Sequence, residues 1–363
     1  MNGPDRSYCI YVENGLFGKI PAFLKKHGFA DIYAVISDSN VAEIYGRRLV
    51  SNLNRSGLKA VLITFKAGEG SKNMKMAEKL LDKLLSKKFT RRDCIIALGG
   101  GVTGDLAGFA ASIFMRGIPL IHVPTSLLAM VDSSIGGKTG VNLTRGKNLA
   151  GTFYQPKAVL IDPEILKTLP KAEFLNGFAE IIKYGVIADK KLFGLLEKSS
   201  KIILSGNQKL LHNIIIQCCN IKASITEKDE TENGLRMVLN YGHTVGHAIE
   251  RLSDYKIKHG RAILFGMRIA NKIALYLNIL KQNNLARINN LLNQHGLDEK
   301  IEKNLPKISK KLIAQKLWQI MQTDKKMHKC KIHFILPKTI GKTIIYDGIT
   351  AKDFMKAFDQ ESK

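Results

Sequence analysis

The chain has 363 residues, 45% hydrophobic and 24% charged, a composition typical of a globular protein long enough for two domains. Its 56 basic residues against 31 acidic ones give a formal charge of +25, but they are spread along the chain and accompany no nucleic-acid-binding motif. No apolar run reaches the roughly 18 residues of a membrane span, and the start has no apolar signal-peptide core. We therefore expect a cytoplasmic protein that binds neither membrane nor nucleic acid.

The first half of the chain alternates short apolar segments with amphipathic segments of helical spacing. The predicted strands have the sequences SYCIYV, IYAVISD, KAVLITF, CIIALGG, PLIHVPT and KAVLID. Strands that alternate with helices indicate a parallel sheet covered on both faces. We therefore predict an α/β domain over residues 1–171.

Beyond about Ala172 the strand signals nearly disappear. Segments such as AEFLNGFAEIIKYGVI, LLHNIIIQCCNIKASI and AILFGMRIANKIALYL have helical spacing, and one late run, KIHFILP, predicts a short strand. Pro170 interrupts the pattern between the two halves. We therefore predict a helical second domain over residues 172–363.

The segment CIIALGGGVTGDLAGFAA predicts a strand, a glycine turn and a helix. Gly99, Gly101 and Gly104 fit G-x-G-x-x-G, in which the glycines and the helix N-terminus accommodate a pyrophosphate. The usual ribose-binding acid about 20 residues later is missing, and a tight turn without a ligand is the alternative. However, Asp38 ends an earlier strand and the polar segment GEGSKN follows the next one. Such strand ends favour a nucleotide crevice.

A long segment rich in Gly, Ser, Thr and Lys follows, PTSLLAMVDSSIGGKTGVNLTRGKNLAGTFYQP. Loops of this length inside a packed domain usually have a function. Lys138 and Lys147 are suited to a phosphate or carboxylate, and Asp132 and Asn148 to hydroxyl groups. The alternative is a solvated loop without a ligand.

The sequence LNYGHTVGHAIE places His243 and His247 four residues apart in a predicted helix. Four residues rise by roughly 6 Å, so both imidazoles lie on one face. Glu180 lies in GFAEIIKYG and His259 in YKIKHGRAI. One glutamate and up to three histidines can form a zinc site with an open coordination position. The residue after His243 is a threonine, not the glutamate base of H-E-x-x-H metalloproteases.

Together these motifs closely resemble the 3-dehydroquinate synthase family. The resemblance rests on GGGVTGDLAGF, FMRG, VPTSLLAMVDSSIGGKTGVN, GKNLAGTFYQP, GFAEIIKYG, DETENGLR, LNYGHTVGHAIE, HG and MQTDKK, which run in this order between roughly Asp38 and Pro337. It implies a Rossmann-like NAD-binding α/β domain, an all-helical metal-binding domain and a homodimer.

The implied reaction converts 3-deoxy-D-arabino-heptulosonate 7-phosphate to 3-dehydroquinate and phosphate, the second step of the shikimate pathway to chorismate and the aromatic amino acids. It proceeds by transient oxidation by NAD, phosphate elimination, re-reduction and intramolecular aldol closure. The alternatives are another sugar-phosphate cyclase, a metal-dependent polyol dehydrogenase that releases NADH, and a basic nucleic-acid binder.

The resemblance also implies roles for individual residues. The ligands of a divalent zinc or cobalt ion are Glu180, His243 and His259, and His247 lies near the substrate phosphate. The implied catalytic and substrate-contact residues are Arg116, Asp132, Lys138, Lys147, Asn148, Lys183, Lys222, Arg236, Asn240 and His247, with Arg116 reaching the partner subunit's site. The implied NAD contacts are Asp38, Glu69, Lys72, Gly100, Gly101, Val102, Gly104, Asp105, Thr125, Ser126, Lys138, Lys147, Thr168 and Leu169.

The chain departs from the family pattern at two places. The family usually has two threonines where this chain has Thr125 and Ser126, a change that keeps the hydroxyl. A glycine usually follows the segment Asp324-Lys325-Lys326, where this chain has MHKCK. Either Lys325 or Lys326 is therefore the expected catalytic lysine of this segment.

Overall fold

The structure, a computed structural model, describes residues 7–232, 234–294, 305–323 and 332–361. The chain forms two compact units. The first contains the described residues up to Phe174 together with Gln208–Ala223, and the second contains Leu175–Asn207 and the described residues from Ser224 onward. The sequence placed the boundary after residue 171 and assigned Gln208–Ala223 to the helical domain, whereas in the structure this segment belongs to the first unit.

The first unit contains eight strands in its described residues. They are β1 (Cys9–Val12), β2 (Ile32–Asp38), β3 (Lys59–Phe65), β4 (Cys94–Gly99), β5 (Leu120–Pro124), β6 (Lys138–Leu143), β7 (Gly146–Phe153) and β8 (Ala158–Ile161). Six of them form a parallel sheet with the order β1-β8-β5-β4-β2-β3. All six predicted strands are confirmed. Central strands such as β4 are buried at every position, which explains their uninterrupted apolar sequences.

Helices of the first unit connect these strands. They are α1 (Leu16–His27), α2 (Ser39–Val41), α3 (Arg47–Arg55), α4 (Met74–Ser86) and α5 (Gly101–Ile113), with π-helical turns at Ala42–Gly46 and Ala129–Ser133 and 3₁₀ turns at Glu69–Ser71, Phe114–Arg116 and Pro163–Thr168. Leu80 and Leu84 of α4 and Leu106 of α5 are buried in one core cluster with Ile36 and Ile95 of the sheet. This packing holds α4 and α5 against the sheet.

The order of the parallel sheet changes direction between β2 and β4. After β2 the chain adds β3 on one side, and β4 then lies on the other side of β2. At such a point the connecting helices diverge and leave a ligand crevice outside the carboxyl ends of the strands. β2 ends at Asp38 and β4 ends at Gly99. The two predicted nucleotide segments therefore lie side by side.

The strands β6 and β7 form an antiparallel hairpin where the sequence predicted a loop. Their sequences, KTGVNL and GKNLAGTF, contain Gly and Asn, which are depleted in strands. Local propensity therefore does not identify the hairpin. It is fastened at Asn142, whose backbone N–H donates to the carbonyl of Lys72 at 2.8 Å.

The later part of the chain is mainly helical. Its elements are α6 (Lys171–Ile187), α7 (Lys190–Leu204), α8 (Gln208–Lys228), a 3₁₀ turn at Leu235–Asn240, α9 (His243–Leu252), α10 (His259–Tyr276), α11 (Gln282–Asn293), α12 (Lys310–Gln322), β9 (Phe334–Thr339), β10 (Lys342–Tyr346) and α13 (Ala351–Glu361). The predicted late strand is β9, and β10, which the sequence analysis did not predict, pairs with it as an antiparallel hairpin. Among the described residues, no helix has the length and apolar character required to cross a bilayer.

Candidate active site

Three predicted metal ligands converge in the second unit. Glu180 of α6 is completely buried. The Nε2 atoms of His243 and His259 lie 3.3 and 3.2 Å from its Oε1 atom. The three ligand atoms all lie within 4.8 Å of one another. Because a divalent metal binds imidazole nitrogens and a carboxylate oxygen, these residues are a suitable set of donors.

Two glycines allow the helices that carry these histidines to approach closely. Gly242 precedes α9 with φ +80°, and a Cβ atom there would lie 2.7 Å from the carbonyl oxygen of Ile263 in α10. Gly260 follows His259, and a Cβ atom there would lie 2.6 Å from the carbonyl oxygen of Asn176 in α6. Each histidine is the first residue of its helix. Close packing of backbone on backbone therefore sets the positions of both imidazoles.

The opposite nitrogen of each imidazole faces a hydrogen-bond acceptor. Nδ1 of His243 lies 3.2 Å from the carbonyl oxygen of Tyr241, and Nδ1 of His259 lies 3.2 Å from Oε2 of Glu250. Each Nδ1 must therefore carry the proton, so the lone pair of a neutral imidazole is at Nε2 and points toward Glu180. The two Nε2 lone pairs and the Glu180 carboxylate are all acceptors that face one another, and a cation between them would stabilise this arrangement. The arrangement of tautomers thus fits a divalent metal.

The protonation states of this cluster bear on metal binding. Burial alone would raise the pKa of Glu180, but Lys183, with which it forms an ion pair, and His243 hold that pKa well below its usual range. Burial lowers the pKa of His243. Burial would also lower the pKa of His259, but hydrogen bonds to Glu180 and Glu250 raise it to about 9. Glu180 is therefore ionised and His243 neutral near pH 7, as metal ligation requires, whereas His259 carries a proton that a bound metal would displace.

His247 lies beside this cluster but not in the group that contains Glu180. Its ring centroid is 5.2 Å from that of His243 and 6.0 Å from that of His259. It belongs to a second possible metal group with Glu250 and His259. Helical spacing alone allowed both His243 and His247 as ligands of one metal, and the structure separates them into different groups. Glu250, which the sequence analysis did not select, takes part in the second group and contacts His259.

Arg236 and Asn240 are held by an acidic segment of the second unit. The Arg236 guanidinium is almost completely buried and donates through Nη1 to the carbonyl of Glu230 at 2.5 Å, while its backbone N–H donates to Asp229 at 2.9 Å. The Asn240 amide donates to Oε1 of Glu232 at 2.7 Å. These contacts orient both side chains. The motif DETENGLR thus contains the predicted substrate contact Arg236 and also the acidic residues that hold Arg236 and Asn240.

Within the first unit, the structure brings together Lys222 and Asp132, two predicted substrate contacts. Nζ of Lys222 donates to the backbone carbonyl of Asp132 at 2.5 Å and to its Oδ1 atom at 2.8 Å. Asp132 belongs to the π-helical turn Ala129–Ser133, and such turns often occur at functional sites. Lys222 is buried, so its ammonium group is firmly oriented.

A second polar cluster of the first unit joins predicted NAD contacts to a predicted substrate contact. Lys72 forms an ion pair with Asp105 and donates from Nζ to Oδ1 of Asn148 at 2.6 Å. Burial raises the pKa of Asp105, and the nearby ammonium group of Lys72 opposes this effect. Lys72 and Asp105 are both predicted NAD contacts, and the ion pair brings them together.

The glycine turn after β4 has features that suit a pyrophosphate. Gly100 is the N-cap of α5, and no side chain caps this helix, so its first N–H groups are suited to an anion. Cβ atoms added at Gly100 and Gly101 would lie 3.3 and 3.2 Å from the Oγ atoms of Ser126 and Ser133. A side chain at either glycine would reduce the space through which a ligand reaches the backbone of the turn. The residues of this turn therefore fit a dinucleotide.

Other predicted NAD contacts lie at the ends of parallel strands or in the segments that follow them. Asp38 caps α2, and the Thr103 hydroxyl donates to its Oδ2 atom at 3.3 Å. The backbone N–H of Thr125 donates to the carbonyl of Gly99 at 2.9 Å. Thr168 lies 2.6 Å from the Tyr45 hydroxyl, a contact that the sequence did not indicate. The expected contacts at Val102 and Gly104 lie in the first turn of α5, and those at Glu69 and Leu169 lie in or beside the 3₁₀ turns Glu69–Ser71 and Pro163–Thr168.

Three predicted basic contacts occupy the hairpin and the turn after α5. Lys138 begins β6, and Lys147 lies in β7. Arg116 has a left-handed backbone with φ +68°, next to Met115 with φ +50°. This is a conformation that non-glycine residues rarely adopt, and it often marks a functional segment. Lys325 and Lys326 lie outside the described residues.

Comparisons with known proteins agree with these features. The 3-dehydroquinate synthase N-terminal model matches residues 62–176, and the 3-dehydroquinate synthase C-terminal model matches residues 177–327. A 3-dehydroquinate synthase from Desulforamulus reducens is 42% identical over 357 residues, 98% of each chain.

Two solved structures are also similar. The 2-epi-5-epi-valiolone synthase from Streptomyces hygroscopicus, with NAD⁺ and Zn²⁺ bound, has a TM-score of 0.86 at 25% identity, with 98% of this chain and 97% of that one covered. A 2-deoxy-scyllo-inosose synthase in complex with carbaglucose-6-phosphate, NAD⁺ and Co²⁺ has a TM-score of 0.83 at 29% identity, with 97% and 96% covered. Since both family models match in sequence order and the curated relative is similar along nearly its whole length, the chain belongs to the 3-dehydroquinate synthase family.

Proposed function

We propose that the chain converts 3-deoxy-D-arabino-heptulosonate 7-phosphate to 3-dehydroquinate and phosphate, the second step of the shikimate pathway. The observation that carries this proposal is the buried group of Glu180, His243 and His259 within a chain that matches both halves of the family. The cofactors are NAD and a divalent zinc or cobalt ion. When bound, NAD supplies transient oxidation at C5 of the substrate, and the metal supplies Lewis-acid polarisation of the C5 hydroxyl.

The residues of the chain have three tasks in this reaction. Glu180, His243 and His259 hold the metal, and a set of three protein ligands leaves a coordination position for the substrate. The glycine turn Gly100–Gly101 and the strand end at Asp38 hold the dinucleotide. The basic residues bind the carboxylate and phosphate of the substrate, because charge-assisted hydrogen bonds to these groups are strong. That set is Arg116, Lys138, Lys147, Lys183, Lys222 and Arg236.

His247 has a separate task near the leaving group. It stands one helical turn after His243, outside the group that contains Glu180. At this position its imidazole can hydrogen-bond to phosphate oxygens and orient the phosphate for elimination. Asp132 and Asn148, together with Asn240, bind substrate hydroxyl groups. We also propose that the protein is a cytoplasmic homodimer in which Arg116 reaches the partner subunit's site.

The test is phosphate release with catalytic amounts of NAD. Because NAD is regenerated within each turnover, substoichiometric NAD should support many turnovers on the heptulosonate phosphate, and dehydroquinate should form in equal amount to phosphate. Steady accumulation of NADH absorbance would instead identify a polyol dehydrogenase. Turnover of sedoheptulose 7-phosphate or glucose 6-phosphate in place of the heptulosonate would identify a different sugar-phosphate cyclase.

A further inference from the structure

Asn142 lies in the hairpin strand β6 and is fastened to the segment that follows β3. Its backbone N–H donates to the carbonyl of Lys72 at 2.8 Å, and an isolated parallel bridge links it to Asn73. The hairpin is therefore attached through its backbone to the polar turn of the motif GEGSKN. This attachment brings the side chain of Asn142 to two residues for which separate roles were predicted.

Both ends of the Asn142 amide are used, by different partners. Nδ2 donates to Oε1 of Glu69 at 2.7 Å, and Oδ1 accepts from the backbone N–H of Asn148 at 2.9 Å. Rotation of the amide by 180° would place oxygen against a carboxylate and an NH₂ group against an N–H donor, so only one orientation satisfies both partners. Asn142 therefore specifies the relative position of Glu69 and Asn148.

Asn142, Asn148 and Lys72 form a closed ring of hydrogen bonds. Asn148 has a left-handed backbone with φ +55°, and its Oδ1 accepts from Nζ of Lys72 at 2.6 Å. The backbone carbonyl of Lys72 in turn accepts from Asn142. Such a backbone persists only where the surrounding contacts maintain it, and the Asn142 amide supplies one of these contacts directly.

We infer that Asn142 is a positioning residue that joins the dinucleotide site to the substrate site. This inference rests on the proposed function, in which Glu69 and Lys72 contact NAD and Asn148 contacts the substrate. Asn142 then keeps the substrate contact in register with the bound dinucleotide. Hydride transfer requires such register, since a small displacement of the reacting groups costs about 10²-fold in rate.

The test is Asn142→Asp, which keeps the shape and the acceptor for Asn148 but places a carboxylate against Glu69. We expect NAD to bind roughly tenfold more weakly in the absence of substrate, and kcat/KM to fall by about 10- to 100-fold. Zinc content should equal that of the wild type, because Asn142 belongs to the first unit and the ligand group to the second. Isothermal titration with NAD⁺, metal analysis and phosphate release measure the three quantities.

Asn54→Asp is the matched control. The Asn54 amide also uses both ends, since it donates to the carbonyl of Ala60 at 3.2 Å and accepts from its N–H at 2.9 Å. The Asn54→Asp substitution makes the same chemical change in the same unit, away from the predicted NAD and substrate contacts. We expect this variant to lose stability but keep NAD affinity. Equal effects of both substitutions on NAD affinity would show that Asn142 has a structural role only.

A double substitution tests the contact itself and covers the case in which Asn142→Asp does not fold. In the Glu69→Gln background the introduced amide can donate to the introduced carboxylate, so Asn142→Asp should be much less harmful there than alone. The same cost in both backgrounds would overturn the inference. Absence of phosphate release by the wild type would contradict the proposed function instead, so the two failures are distinguishable.

Discussion

Glu250 contacts His259 on the side of the imidazole opposite Glu180, with 3.2 Å between Oε2 and Nδ1. The carboxylate fixes the tautomer and makes Nε2 more basic, as outer carboxylates do for histidines that bind zinc. His259 is thereby oriented before any metal binds. Glu250 is itself buried, so its contact with His259 is protected from solvent.

Glu250→Gln should therefore weaken metal binding without removing a ligand. The amide is a poorer acceptor for the Nδ1 proton, and we expect zinc affinity to fall by about 10-fold, up to 100-fold. Competition with a zinc chelator measures this directly. Glu78→Gln, at an exposed position of α4, is the control for loss of one negative charge. Unchanged zinc affinity in the Glu250 variant would show that this contact does not tune the metal.

His247 of α9 and His259 of α10 should respond differently to removal. His259→Ala should lose zinc and activity together, because His259 belongs to the group with Glu180. His247→Ala should keep near-stoichiometric zinc, while phosphate release falls by about 10²-fold or more if His247 assists proton transfer. Metal analysis beside the activity assay separates the two cases. Loss of metal from the His247 variant, with retention in the His259 variant, would reverse the ligand assignment.

The proposed role of Arg116 across the subunit boundary predicts complementation. A mixture of Arg116→Ala and Lys183→Ala proteins should form hybrid dimers with one intact site, so about a quarter of all sites should regain activity after random exchange. The control mixture combines Lys138→Ala with Lys183→Ala, in which both sites of a hybrid stay damaged. No recovery in the first mixture, with subunit exchange demonstrated, would mean that Arg116 serves its own subunit.

His122, buried in β5, predicts a specific acid sensitivity. Burial lowers the pKa of His122 to about 4, whereas an unfolded histidine has a pKa of about 6.5. Between these values the unfolded chain takes up a proton that the folded chain does not, so the free energy of unfolding falls as the pH decreases from about 6.5 to about 4. At 1.36 kcal/mol per pKa unit the full loss is about 3 kcal/mol.

Denaturant unfolding at a series of pH values tests this effect. His122→Gln should flatten the pH dependence over this range relative to the wild type, even if the variant is less stable overall. His27→Gln, at an exposed position of α1, is the control for the loss of one imidazole. Identical slopes for the wild type and the His122 variant would show that His122 becomes protonated in the folded protein.

Much of the fold follows from local pattern. The six parallel strands have apolar β-branched sequences because both faces of such a sheet are buried, and the helices show their buried faces in their spacing. The two hairpins do not follow from pattern in the same way. β6 and β7 contain Gly and Asn in place of typical strand residues, and a backbone hydrogen bond from Asn142 to Lys72 attaches their hairpin to a distant segment.

The candidate site, like the fold, follows partly from the sequence and partly from the tertiary structure. The sequence by itself determined the chemistry: a glutamate and histidines for a metal, glycines for a pyrophosphate, and basic residues for an anionic substrate. Spacing within one helix placed His243 and His247 on one face but did not decide between them. The tertiary structure groups His243, and not His247, with Glu180 and His259. Glu180 and His259 are 79 residues apart in the chain and meet only when α6 and α10 pack. Local periodicity carries no information about such contacts, so only the fold shows that Glu250 contacts His259 and that Asn142 contacts both Glu69 and Asn148.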